Sequence, residues 1–323
     1  MIELNSQLAD VFLAESGLSN FTLTKIAGDA SFRSYYRVKT ANKSYVLMFA
    51  PTNYEDTSPF IKINEILITN NLSAPSIIAK DTKNGFLLLQ DFGDDTFSRF
   101  LSKDSNNEFE IYKRAIDALI EIHKIDYHKF DIAKYNNAIL YREVALLIDW
   151  YLPLKKRNIS ISEIKFFKNS WIDLFDNLTK SNQVLVLRDY HADNLMVLPN
   201  MSGFKSVGLL DFQDALIGSF AYDLQSLLED ARRDINQQNR EKLFDYFISR
   251  ANYDFKEFSS DYEIISLQRN IKILGIFARL YLRDKKEQYL QYLPRVENFV
   301  LDRLKNNNLI QDLFKELLCG YIK

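Results

Sequence analysis

Leu187-Arg188-Asp189-Tyr190-His191-Ala192-Asp193-Asn194, followed after an apolar run by Leu209-Leu210-Asp211-Phe212-Gln213-Asp214, decides how this chain is read. Asp189 and Asn194 stand five positions apart, and Asp211 comes seventeen residues after Asn194. The interval holds two short apolar segments, Leu195–Leu198 and Val207–Leu210, that read as strands. A carboxylate, an amide, a hairpin and a second carboxylate, in that order and spacing, form the layout of a catalytic loop followed by a metal-binding loop. The physical need is simple. Phosphoryl transfer asks a protein for a carboxylate to take the acceptor hydroxyl's proton, and for hard oxygen ligands to hold Mg²⁺ on the phosphates. Asp189 suits the first role; Asn194 and Asp211 suit the second. D-x-x-x-x-N alone is also an ordinary polar turn, with Asp and Asn serving turn chemistry. The strand end Leu209-Leu210-Asp211, at the right distance, lifts the pattern above that reading.

Outward from this stretch, two regimes appear. Toward the N-terminus, residues 3–17 read as a short amphipathic helix. Phe21–Ala27, Tyr35–Lys39 and Tyr45–Ala50 read as strands, with a turn at Gly28-Asp29-Ala30-Ser31 and a hairpin connection at Ala41-Asn42-Lys43. Ser58-Pro59 looks like an N-cap followed by Pro, opening a helix to about Asn70. Gly85–Gln90 is a strongly apolar strand. After Asp94 the period changes. Ile111, Ala115, Leu119 and Ile122 recur at helical spacing, and further helices fit residues 141–152, 162–180, 220–233, 237–251, 260–283 and 286–304. Between them lie short strands at Val184–Leu187, Leu195–Leu198 and Val207–Leu210. The expected class is therefore α+β and two-lobed, kinase-like in plan: a small β-rich N-lobe over residues 1–93, binding nucleotide, and a large mainly helical C-lobe over residues 94–323, carrying the catalytic and metal loops and the acceptor site.

Composition narrows the function. The chain has 323 residues, enough for two lobes and a sizeable core. A net charge of −2 gives no basic field for nucleic acid, so no nucleic-acid partner is expected. One cysteine, Cys319, rules out an internal disulfide and cysteine-cluster metal sites. The opening Met1-Ile2-Glu3-Leu4-Asn5-Ser6-Gln7 lacks the basic start and apolar run of a signal peptide, and no apolar run nears the ~18 residues of a membrane span. The most apolar helix is interrupted by Lys272 and Arg279. A cytoplasmic location with no membrane partner is expected; composition is silent on oligomeric state.

Other candidates divide between function and structure. Asp214 reads either as a second metal or substrate contact or as a cap for the helix after Gly218. Asp223, at a helix start, meets free backbone N–H groups and a favourable dipole, and reads as support for the catalytic loop. His191, inside that loop, reads as a hydrogen-bonding brace, since Asp189 already supplies a base. His123 closes an amphipathic helix and reads as core. Asp91-Phe92-Gly93 is a literal D-F-G without a catalytic loop before it. Its better role, with Gln90, is a hinge whose backbone reads an adenine edge; the metal-loop counterpart is Asp211-Phe212-Gln213. Ser31 and Arg33 lie where a loop would cover the triphosphate, and Arg suits directed phosphate binding.

With these motifs in place, the chain resembles the aminoglycoside phosphotransferase-like kinases, which include choline, fructosamine and homoserine kinases. Leu187–Pro199 and Asp211-Phe212-Gln213-Asp214-Ala215, with Tyr222–Asp234, look most like the bacterial cell-wall amino-sugar kinases. That resemblance covers nearly the whole chain. It implies ATP as donor, with the nucleotide sandwiched between lobes, Asp189 as base, and Asn194 and Asp211 as Mg²⁺ ligands. It implies the anomeric hydroxyl of N-acetylmuramate or N-acetylglucosamine as acceptor, in peptidoglycan recycling. Two departures stand out. Relatives often have His where this chain has Leu187. Along Tyr45-Val46-Leu47-Met48-Phe49, the strand that carries a phosphate-binding Lys in typical kinases has Met48 at that position. A thioether cannot neutralise phosphate, so another cation is needed: Arg33 first, Lys62 second, with Glu65 as a pairing carboxylate. Val46 and Met48 remain nucleotide-site candidates by position. The acceptor pocket is expected near Asp189, Gln213, Asp214 and Glu229–Asp234, with Arg232 or Arg233 available for a lactyl carboxylate. Two rivals stay open. One is an aminoglycoside or other small-alcohol phosphotransferase, whose cationic substrate Asp214, Glu229, Asp230 and Asp234 would attract. The other is a non-catalytic nucleotide-binding scaffold, motivated by Met48.

Overall fold

The computed structural model describes residues 4–26, 32–306 and 308–322. Among them the order begins α1 Ser6–Glu15, β1 Thr22–Lys25, β2 Ser34–Lys39, β3 Ser44–Phe49, α2 Ser58–Thr69, β4 Ile77–Asp81, β5 Phe86–Gln90 and α3 Phe97–Lys103. It continues α4 Glu108–His123, α5 Asn137–Val144, a π-helical turn Leu147–Tyr151, α6 Leu152–Leu154, α7 Ile161–Asp176, β6 Gln183–Val186, β7 Leu195–Val197, β8 Val207–Leu209 and β9 Leu216–Ser219. It closes with α8 Tyr222–Leu228, α9 Gln237–Ala251, α10 Phe255–Leu282, α11 Leu293–Asn306 and α12 Asp312–Ile322. The chain folds as two compact units: residues to Ser105 together with Asp193–Asp214, and Asn106–Ala192 together with Ala215 onward.

The first unit is built on a five-stranded antiparallel sheet in the order β1-β2-β3-β5-β4. Strand period sets its two faces. Tyr36, Leu47 and Leu88 stand in one cross-strand row, beside Val38, Tyr45, Phe49 and Phe86, and this face packs on Ala9, Phe12 and Leu13 of α1. Those α1 positions are the i, i+3, i+4 stripe of an amphipathic helix, which Asn5 caps by accepting the Leu8 N–H. Burying each large side chain stabilises by about 1.5–3 kcal/mol. The opposite face carries Tyr35, Met48 and Leu87 in one row and Arg37, Val46 and Leu89 in the next. Helix α2 starts slightly differently from the expectation: its N-cap is Thr57, Ser58 lies inside the first turn, and Asp56 accepts the Ser58 N–H at 2.8 Å. Strand β4 was not foreseen. It is an edge strand with Ile78 exposed and charged neighbours, so its apolar pattern is weak. The hairpin β7–β8 belongs to this unit, with Leu209 N–H bonded to Ser73 O and Val197 N–H to Asp95 O.

The second unit is mainly helical, with the two-stranded β6–β9 ribbon inserted. Two expected helices are shorter than their apolar pattern. The helix drawn at 220–233 ends at Leu228: Glu229 is pulled into an ion pair with Arg303 of α11, and Asp230 accepts the Arg232 N–H at 2.9 Å, turning the chain. The helix drawn at 141–152 breaks into α5, the π turn and α6. Here α10 runs against the π turn so closely that a Cβ on Gly275 would stand 2.5 Å from the Leu146 carbonyl carbon. Helix α10 is 28 residues long and buries Asp261, Gln268, Arg269, Asn270 and Lys272 along with its apolar side chains. Among the described residues, no helix is long and apolar enough to cross a membrane.

Candidate active site

The metal-loop half lies in the first unit. Hairpin β7–β8 pairs Leu195 with Leu209, which brings Asn194 at its start beside Leu210 and Asp211 at its end; Leu210 N–H bonds Asn194 O at 3.0 Å. Asn194 Nδ2 lies 3.4 Å from Asp211 Oδ2. Asp211 is held at φ +56°, a left-handed conformation uncommon for a residue with a Cβ. Gln213 explains part of how: its side-chain N–H groups reach Asp211 Oδ1 at 2.8 Å and Asp214 Oδ2 at 3.4 Å. Phe212 is fully buried and packs on Phe60 of α2. The structure therefore joins Asn194, Asp211, Gln213 and Asp214. Gln213 is buried and Asp214 exposed, so the amide acts on its carboxylate neighbours. The cap reading of Asp214 does not hold, because strand β9 follows and Ala221 is the N-cap of α8.

Arg33, just before β2, faces this loop. Its Nε stands 3.2 Å from Glu55 Oε2, and both side chains are largely buried. Next to them Phe32 stacks on Tyr54 with centroids 4.9 Å apart, so two adjacent contacts clasp the segment before β2 to the segment before α2. Burial opposes the guanidinium charge, but the Tyr35 hydroxyl and the Glu55, Asp211 and Asp214 carboxylates outweigh it and hold the Arg33 pKa above its ordinary value. Burial, helped by Asp211, pushes the Tyr35 hydroxyl up to about 12. Met48 is buried directly across from Tyr35 and offers phosphate nothing polar. Val46 is half-buried on the same face. Ser31 lies outside the described residues.

The segment after β5 is locked from below. Asp91 accepts two bonds from Arg37, at 2.8 and 3.1 Å, one from Ser44 Oγ at 2.5 Å and one from the Gly93 N–H at 2.9 Å. Burial would raise the Asp91 pKa, but these donors hold it below the usual carboxylate range. The carboxylate is thus consumed in fixing the backbone. The Gln90 N–H is bonded to Ser76 O, and the Phe92 ring lies against Gly208 of β8, where a Cβ would meet it at 2.8 Å.

The Asp189 loop lies in the second unit, and nearly every residue of it is pinned. The Leu187 and Arg188 N–H groups donate to Asp223 at 2.6 and 2.9 Å. The Tyr190 hydroxyl donates to Ala115 O of α4 at 2.7 Å. The Ala192 N–H approaches Asp230 at 3.3 Å. Arg232 Nη1 donates to His191 Nε2 at 3.3 Å, so that ring nitrogen is an acceptor and the imidazole neutral; burial lowers its pKa accordingly. The bracing role read for His191 agrees with this. Asp223 does support the loop, through its backbone, and its burial pushes its carboxyl up to about 7. Burial also works to raise the Asp189 pKa, but Lys272, His191, Arg269 and Arg188 outweigh it and hold the carboxyl below its ordinary value. Arg233 is half-buried in the loop after α8, near the Tyr112 hydroxyl. His123 is core: burial drives its pKa down to about 3, and it meets Tyr253 and Phe247.

Sequence reading missed the polar groups gathered around Arg188, next to Asp189. Glu143 of α5 pairs with Arg188 at 2.5 Å and with Lys272 at 3.1 Å, and accepts from Gln268 and the Tyr135 hydroxyl. The signal available was Lys272 itself, a charge inside an apolar helix.

A five-stranded antiparallel unit that carries the Asn194–Asp211 hairpin, and a mainly helical unit that carries the Asp189 loop, have the plan of a kinase-like phosphotransferase. The phosphotransferase enzyme family matches residues 22–257, and the chain belongs to that family. It is similar to the N-acetylmuramate/N-acetylglucosamine kinases of Pseudomonas aeruginosa (34% identical, covering 90% of this chain and 87% of the relative) and Pseudomonas putida (33%, 98% and 95%). The enzyme so named from Caulobacter vibrioides is 30% identical over 88% of each. Its fold is that of solved kinases with little sequence in common. Plasmodium vivax ethanolamine kinase has a TM-score of 0.63 at 14% identity, covering 93% of this chain and 90% of that one. Choline kinase LicA from Streptococcus pneumoniae has 0.60 at 14%, covering 90% and 99%.

Proposed function

We propose that this chain transfers the γ-phosphoryl group of ATP to the anomeric hydroxyl of N-acetylmuramate or N-acetylglucosamine, as a cytoplasmic step in reuse of cell-wall sugars. The named relatives, at 30–34% identity over most of their length, support the acceptor class. The observation that carries the choice over cationic drugs is the charge around Asp189. Lys272, Arg269 and Arg188 act on it, while two of the four carboxylates that would attract an aminoglycoside are in use, with Asp214 and Asp234 left exposed: Glu229 is buried under Arg303, Asn270 and Gln225, and Asp230 holds loop N–H groups. A polycationic acceptor would be repelled there; a neutral or acidic sugar would not.

In this reading Asp189 takes the acceptor hydroxyl's proton. Its depressed pKa keeps it ionised at neutral pH, ready to accept. Asn194 and Asp211 would hold Mg²⁺ through the amide oxygen and a carboxylate oxygen, hard ligands that suit it; the two side chains stand side by side, Asn194 Nδ2 lying 3.4 Å from Asp211 Oδ2. The ion, when bound, would neutralise charge on the phosphates. Gln213 orients the Asp211 and Asp214 carboxylates, and Asp214, being exposed, is open to substrate. Arg33 supplies the phosphate cation that Met48 cannot, held by Glu55; this weakens the scaffold reading. Arg37 and Asp91 stiffen the Gln90–Phe92 backbone that would face the adenine. Arg232, tied to His191, and Arg233 border the loop on which a lactyl carboxylate would rest.

The test is ADP release from Mg-ATP across N-acetylmuramate, N-acetylglucosamine, choline, homoserine and kanamycin. Turnover on the two amino sugars supports the reading. Turnover on kanamycin alone replaces it with the drug-modifying one, and nucleotide binding without turnover favours the scaffold.

A further inference from the structure

The entry to the base loop carries strain that something must hold. Arg188, immediately before Asp189, has φ +72°. That left-handed conformation is strained for a residue with a Cβ and persists only where the surroundings over-determine it. Two grips do so. Helix α8 supplies one, Asp223 accepting the Leu187 and Arg188 N–H groups. Helix α5 supplies the other, Glu143 accepting from the Arg188 guanidinium at 2.5 Å.

One side chain joins the grips. Lys272 of α10 places Nζ 3.1 Å from Glu143 Oε1 and donates to the Tyr222 hydroxyl at 3.0 Å, and Tyr222 is the residue before Asp223. Gln268, one turn earlier on α10, donates to the other Glu143 oxygen at 3.0 Å, which the Tyr135 hydroxyl also meets. The Lys272 residue is 8% exposed. A buried ion pair of this kind is weak evidence for stability, since apolar residues of similar volume serve as well or better. Its place at the back of the base loop calls for a different reason.

We propose that Lys272 is a positioning residue for the catalytic loop: by bridging Glu143 of α5 to Tyr222 of α8 it fixes the Arg188 backbone and so aims the Asp189 carboxylate. The inference rests on Asp189 being the base. The charged and titratable groups around that carboxylate are Arg188 and His191 of the loop, Lys272 and Arg269 of α10, and Asp223 of α8. Lys272 is the largest of the influences that keep it ionised.

The experiment compares Lys272→Met, Lys272→Arg and Tyr222→Phe with the wild type and Asp189→Asn in the full chain. It varies ATP and N-acetylglucosamine separately and follows circular dichroism and binding of a fluorescent ATP analogue. Lys272→Met should lose at least tenfold in kcat while both KM values stay within threefold. Lys272→Arg should recover part of that loss. Tyr222→Phe, which keeps every charge and removes one oxygen, should lose two- to fivefold in kcat. Lys272→Met and Tyr222→Phe both within twofold of wild-type kcat, with Asp189→Asn inactive, would overturn the positioning role and leave the base reading intact. So would a Lys272→Met loss confined to KM. Wild-type turnover in Asp189→Asn would instead remove the base reading. If Lys272→Met does not fold, Tyr222→Phe decides alone.

Discussion

Single residues carry this site's chemistry, and each has a distinct expected failure. Removing a general base costs about 10²–10⁴-fold, so Asp189→Asn should lose that much kcat while an ATP analogue binds with near wild-type affinity. Arg33→Met should act on the donor instead, raising KM for ATP about tenfold or more, since a charge-assisted phosphate contact contributes about 1.5–3 kcal/mol; steady-state kinetics at saturating acceptor separates the two. Asp223 gives a pH signature. Its folded pKa, about 7, lies above the ordinary carboxylate value, so the folded chain holds a proton that the unfolded chain has released. The stability it adds is fully present below about pH 4 and fades as pH rises to 7. The stability difference between wild type and Asp223→Asn should therefore shrink from pH 4.5 to pH 7, by on the order of 1 kcal/mol per unit, in urea melts at each pH. A constant difference would mean Asp223 stays ionised throughout.

At the scale of elements, the sequence was most legible where period and spacing coincide. Helices α4 and α9, strands β2, β3 and β5, and hairpin β7–β8 follow from apolar repeats alone. The short strands β4 and β9 and the end of α8 did not, because long-range partners set them: Ser76 and Gln90 for β4, Arg303 for Glu229. In the candidate site, the pairing of Asn194 with Asp211 could be read from spacing, the candidacy of Asp189 rests on that spacing, and the Arg33 proposal came from the gap at Met48. Glu143 and Lys272 could not, since 129 positions separate them and only the packing of α5 on α10 makes them neighbours. The same packing yields an element-scale prediction. Gly275→Ala would drive a methyl to within 2.6 Å of the Leu146 carbonyl oxygen, and should destabilise by about 1–3 kcal/mol, seen as a lowered melting temperature with kcat reduced if α10 shifts.

At the scale of the molecule, the site's charge argues for the acceptor. The net charge of −2 is nearly neutral, so what a substrate meets is decided locally, and the charges acting on Asp189 are mainly cationic, Lys272, Arg269 and Arg188, with Asp223 beside them. Neutral and acidic sugars should be accepted and polycations refused, with the preference fading little in salt because these cations are buried. The direct measurement is ADP release from Mg-ATP with N-acetylmuramate, N-acetylglucosamine and kanamycin side by side, run with wild type and Asp189→Asn. The account predicts strong turnover on both amino sugars, none on kanamycin, and loss of both activities in the variant. Turnover on kanamycin in preference to the sugars, or wild-type rates in Asp189→Asn, would contradict it.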